Sequence, residues 1–130
     1  MPLNKISIKP QGGPVTVEIA FGYAQVGAYA LVLWNATGSG KLQLGEGVNT
    51  DQIPDIYTLP QPNSGNIGRL LDCVATVIAP NPVPGGRYRV DMIVRQDGAE
   101  CGREYDEGPL VGKSVSTRLA AELSEKAGRD

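Results

Sequence analysis

The chain has 130 residues, 41% of them aliphatic or aromatic and 20% charged, which suits one domain with its own core and excludes a disordered segment. Twelve basic residues against fourteen acidic ones give a net charge of −2, so no excess positive charge is left to neutralise a phosphate backbone or an anionic membrane. Histidine is absent, which removes Ser-His-Asp and Cys-His catalysis within one chain and every His-liganded metal centre.

In chain order, residues 1–8 (Met-Pro-Leu-Asn-Lys-Ile-Ser-Ile) hold no apolar run of signal-peptide or transmembrane length, so a cytoplasmic protein with no membrane or nucleic-acid partner is expected. Residues 5–8 make a first short strand. Val15, Val17, Ile19 and Phe21 alternate with Thr16, Glu18, Ala20 and Gly22, the period-two signature of a half-buried strand. Gly12-Gly13-Pro14 punctuates its start. In the next segment Tyr29, Leu31 and Leu33 fill one face, but Ala28, Ala30, Val32 and Trp34 leave the other face apolar as well. A strand with one wet face does not look like this. Its second face is expected either to be covered within the chain, by a loop or by 117–125 packing as a helix, or to meet another subunit. A homo-oligomer with Val32, Trp34, Ala28 and Ala30 at the interface is the expectation, because small residues let sheets approach and Trp is enriched at interface centres.

Shorter strands are expected at 41–44 and 55–59, a surface loop at 61–68, and a longer strand at 67–79. A proline-rich stretch, 80–86, then keeps the chain off the sheet. Tyr88, Val90, Met92 and Val94 form one face of the next strand and Arg87, Arg89, Asp91 and Arg95 the other, with Ile93 the exception. On that reading Val90→Asp is severely destabilising and Arg89→Asp nearly silent. Asp97-Gly98 is a two-residue hairpin turn that folds 99–105 back. The end of the chain is ambiguous: Val115, Thr117, Leu119, Ala121 and Leu123 have a strand period, whereas a Ser116 cap with Leu119, Ala120 and Leu123 suits a short C-terminal helix.

These elements describe an all-β chain: an antiparallel β-sandwich of Greek-key or immunoglobulin-like type over residues 1–124, with 125–130 as a frayed tail. Gly86-Arg87-Tyr88-Arg89-Val90 resembles the Gly-x-Tyr pattern near the penultimate strand of immunoglobulin-like and fibronectin-like domains. The resemblance implies an architecture and no function. It departs from the family where Val90 replaces the cysteine and where Trp34 precedes both Cys73 and Cys101.

For chemistry, Gly108 to Ser114 has three residues between its glycines and a proline among them, which fails the phosphate-loop spacing. Glu100, Glu104, Asp106 and Glu107 cluster after the hairpin turn, and Glu104 with Asp106 share a strand face, which makes them the candidate cation ligands. The same acids suit a solvated edge strand that resists pairing. Cys73 and Cys101 read as separate thiols or as a single disulfide. Tyr23, Trp34, Tyr57 and Tyr105 are the aromatic residues that could serve as stacking platforms for a sugar. The expected function is a non-catalytic binding or protein-interaction module without a cofactor. A structural subunit of a homo-oligomer and a carboxylate-dependent enzyme are the alternatives.

Overall fold

A computed structural model describes residues 4–22, 26–49, 54–78, 86–110 and 114–126. Within them the apolar alternation becomes nine strands: β1 (Asn4–Ile8), β2 (Val15–Phe21), β3 (Val26–Trp34), β4 (Lys41–Asn49), β5 (Asp55–Thr58), β6 (Leu70–Ile78), β7 (Arg87–Gln96), β8 (Ala99–Pro109) and β9 (Ser114–Glu125). Five strands form one sheet in the order β1-β9-β6-β3-β4, and four form a second in the order β5-β2-β7-β8. Neighbours are antiparallel except β1 and β9, which run parallel. The two sheets close on one apolar core, so the fold is an all-β sandwich.

The chain crosses between sheets from β2 to β3 and again from β6 to β7, while β2 pairs with β7 and β3 with β6. In an immunoglobulin order the last two strands are neighbours, but here β8 and β9 belong to opposite sheets. Tyr88 also differs from the immunoglobulin-type corner, because its hydroxyl donates to the Asp106 carboxylate at 2.7 Å.

Val15, Val17, Ile19 and Phe21 of β2 meet Tyr88, Val90, Met92 and Val94 of β7 on the buried side, as the period predicts. Leu31 and Leu33 of β3, Leu71 and Val77 of β6, and Leu119 and Leu123 of β9 complete the opposite wall. Two glycines admit aromatic rings where a Cβ would collide: Phe21 lies against Gly27, and Tyr57 against Gly45. The Asp97-Gly98 turn forms as expected, with φ of 54° and 77° at its two residues.

The C-terminal helix does not form. β9 is extended through Glu125 because it gains strand partners on both sides, β6 along Ser114 to Glu122 and β1 along Ala121 to Glu125. The strand period therefore buries Leu119, Ala121 and Leu123 together. The loop expected at the surface in 61–68 is instead anchored. Its 3-10 turn, Asn63–Asn66, buries both asparagines. The Asn63 amide donates to the carbonyls of Gly12 and Gly13 at 3.0 and 2.9 Å, and that of Asn66 to the Pro60 carbonyl at 2.9 Å. Cys73 and Cys101 are separate thiols, the first buried and the second half-buried. Burial, with the neighbouring Asp72 charge, pushes the Cys73 thiol up to about 12. Tyr23, most of the 80–86 stretch and the 127–130 tail lie outside the described residues.

Candidate functional site

The two outward faces of the sandwich differ in chemistry. On the β2-β7-β8 face, Asp91 accepts from Arg89 at 2.7 Å and from Arg103 at 2.9 Å. Arg103 also reaches Glu100 at 2.7 Å, Arg89 reaches Glu107 at 3.3 Å, and Arg95 reaches Glu18 at 3.4 Å. Ile93, the apolar exception in the sequence, lies beneath this lattice between Glu18 and Arg103 and is 5% exposed. Long charged side chains cover apolar surface in this way. The lattice contradicts the expectation that Arg89→Asp is silent, because Arg89 holds a carboxylate that is itself buried.

The outward face of β4-β3-β6-β9 divides into two halves. One half is apolar: Ala28, Ala30 and Val32 lie half-buried in a row on β3, flanked by Val48 of β4 and Val74 and Ile78 of β6 at 64%, 50% and 39% exposure. Among the described residues no helix lies over this face. The other half is built around Trp34. Its indole Nε1 donates to Asp72 Oδ2 at 3.1 Å, and Arg118 of β9 grips the same carboxylate with Nε and Nη2, each at 2.7 Å. Lys41 Nζ stands 5.3 Å from the Trp34 ring centre. The sequence-derived interface set therefore splits, with Trp34 in the polar half and Ala28, Ala30 and Val32 in the apolar half.

Two clefts adjoin at Leu70 and Arg118, which line both. The first, about 430 Å³, extends past Trp34 and Glu122 to the turn at 35–38. The second, about 610 Å³, passes around β9 at Thr117 to Ala120 and reaches Glu104, Tyr105 and Asp106 on β8. The rings themselves lie on opposite faces: Trp34 is outward on the five-strand sheet, whereas Tyr105, across from Asp91 and against Arg89, is outward on the four-strand sheet. Among the described residues β1 pairs with β9 from Ala121 to Glu125.

Glu104 and Asp106 share the inward face of β8, as the alternation requires. Both Glu104 oxygens accept from the Asn4 amide, at 3.0 and 2.9 Å. Asp106 Oδ2 accepts from Tyr88 and from the Thr117 hydroxyl, the latter at 2.6 Å. Glu100 and Glu107 point to the opposite side and pair with arginines. Among the described residues no three Asp, Glu or Cys side chains converge as a metal site would require.

Burial opposes the charge of Asp72, but the bonds from Arg118 and Trp34 outweigh it and hold the carboxyl below its ordinary value of 3.8. A depressed carboxyl stabilises the fold fully above its unfolded value and loses that contribution as pH falls through the folded one. The melting temperature is therefore expected to drop below about pH 4, and Asp72→Asn to flatten this part of the profile. Glu100, lowered by its bond from Arg103, adds a smaller effect in the same direction and window. Superimposable acid limbs for wild type and Asp72→Asn would exclude the Trp34–Asp72–Arg118 cluster as the acid-labile link.

No family model, curated protein or solved structure matches the chain. Among the described residues no helix is long and apolar enough to cross a membrane. The chain is a β-sandwich with two adjoining clefts beside β9. Sequence reading found Trp34, Glu104, Tyr105 and Asp106 separately and missed Leu70, Asp72 and Arg118. The available signal was Asp72 itself, a lone carboxylate in the run Leu70-Leu71-Asp72-Cys73-Val74, which needs a cationic partner to be buried.

Proposed function

We propose that the chain is a non-catalytic interaction module that works as a homo-oligomer, joined through the apolar half of the β4-β3-β6 face. The observation that carries this reading is the asymmetry of the two outward faces. One carries ion pairs across β2, β7 and β8, with Ile56 and Tyr105 exposed at its two edges, while the other exposes Val48, Val74 and Ile78 beside a row of small side chains and has its one ion pair, Arg118 with Asp72, at one end. Exposed apolar side chains gathered on one sheet face mark interaction sites more often than scattered ones do, and here Glu46 and Thr76 stand among them. A second copy fits better than an unlike partner because this face carries Glu46 and, toward Trp34, Lys41, opposite charges that a two-fold mate brings together, while Arg118 and Asp72 already neutralise each other. Two unpaired thiols support a reducing, cytoplasmic compartment.

Size-exclusion chromatography with light scattering at tens of micromolar tests the reading. The wild type is expected to run as a dimer or larger and Val74→Arg as a folded monomer, since Val74 is half-exposed and contributes little to its own core. A monomeric wild type, or an oligomer indifferent to Val74→Arg, would remove the proposed interface.

A further inference from the structure

We propose that a second copy sits on the β4-β3-β6-β9 face about a two-fold axis that crosses the strands at Val32 and Asp72, so that the apolar half of each copy covers the Trp34 half of the other. This register rests on the self-association proposed above. The strand pairings set the outward side chains in rows that run across all four strands. Lys41, Trp34, Leu70 and Glu122 form one row. Glu46, Ala30, Val74 and Arg118 form another, with the row of Val32 and Asp72 between the two. A two-fold axis along that middle row turns the first row onto the third.

The rotation sets Lys41 against Glu46 of the second copy at one flank and Glu122 against its Arg118 at the other. Among the described residues Lys41, Glu46 and Glu122 form no ion pair, and Arg118 gives Nε and Nη2 to Asp72 but keeps Nη1. Each open charge on this face therefore meets its opposite. Asp72 is buried and held by Arg118, so its own symmetry mate brings no repulsion.

Shape selects the same axis. Packed sheets keep a spacing of about 10 Å, so the side chains that meet need a nearly constant combined height. Here Trp34 lies over Ala30, Leu70 over Val74, and Val32 over its counterpart. The cleft of about 430 Å³ beside Trp34, Leu70 and Glu122 receives Val74 of the second copy, a side chain that is 50% exposed. A two-fold running along the strands between β3 and β6 also opposes charges, Lys41 to Glu122 and Glu46 to Arg118, but it stacks Trp34 on Leu70 at one end and Ala28 on Thr76 at the other. That arrangement wedges the sheets apart.

Analytical ultracentrifugation of charge-swapped variants tests the register. Lys41 and Glu46 are both exposed, so Lys41→Glu and Glu46→Lys should each remain folded. Either variant alone puts like charges together at both symmetry-related contacts and should weaken self-association by roughly tenfold or more. Mixed in equal amounts, the two variants restore both pairs and should form a heterodimer with close to the wild-type affinity. About the axis along the strands the same mixture keeps two clashes, so a mixture that stays monomeric would overturn the proposal. Self-association abolished by Val74→Arg but untouched by Lys41→Glu would overturn the register and leave the interface standing, whereas a monomeric wild type would remove both.

Discussion

Val90→Asp is expected to lower stability by roughly 3–5 kcal/mol, a large share of the 5–15 kcal/mol typical of a domain. Val90 is fully buried at the centre of β7, paired with Phe21 on one side and with Asp106 of β8 on the other. An aspartate there is set among core side chains between Phe21 and Asp106, and the Asp106 carboxylate repels its charge. It must either ionise without a partner or take up a proton, and each course weakens the fold at neutral pH. The thermal midpoint should fall by about 10 °C or more, against little change for Thr58→Asp on the exposed side of β5. Comparable shifts for the two variants would mean that the inward face of β7 had been misplaced.

Arg89→Asp is the second large effect, at roughly 2–4 kcal/mol, and Arg89→Ala should cost less than half of it. Arg89 binds Asp91 with two nitrogens, at 2.7 and 2.9 Å, and stands opposite Glu107 across the β7–β8 ladder. The alanine variant removes these bonds and leaves Asp91 to Arg103 alone. The aspartate variant adds a third carboxylate between Asp91 and Glu107. Half-exposed repulsion is screened by salt, so the gap between the two variants should narrow in concentrated sodium chloride. Denaturant unfolding at low and high salt measures both quantities. If Arg89→Asp unfolds with the wild-type midpoint, the ion-pair lattice contributes nothing to the sandwich.

The strands were legible where one face is core and the other is water. β2 and β7 satisfy that condition, and their bounds follow from alternation alone. β9 does not, because Ala120 and Ala121 serve a helix or a strand equally well. Its state is decided by β6 and β1, partners from distant parts of the sequence that no local period reports. The buried loop at 61–68 was hidden for a related reason: asparagine reads as a turn former, and only the carbonyls of Gly12 and Gly13 turn Asn63 into an internal strut. Among the candidate site residues, Glu104 and Asp106 could be placed on one strand face but not against β9. That neighbourhood exists only because β9 lies between β6 and the side of the sandwich closed by β8, which brings Arg118 to Asp72 and Thr117 to Asp106.

The place of β9 also bears on how the chain reaches its native state during synthesis. β9 separates β1, the first strand made, from β6, and is the last of the nine to leave the ribosome. Until it emerges, the five-strand sheet can exist only as β6-β3-β4, with β1 unattached and Ile6 and Ile8 without a lasting shelter. Sealing of the interior between the sheets therefore waits for β9, since pairings this remote in sequence form late and slowly. A nascent chain halted before β9 should be readily cut by protease near β1 and prone to stick to its neighbours through the naked edge of β6. Cells that make this protein would therefore gain from a holding chaperone that recognises that edge until β9 has paired.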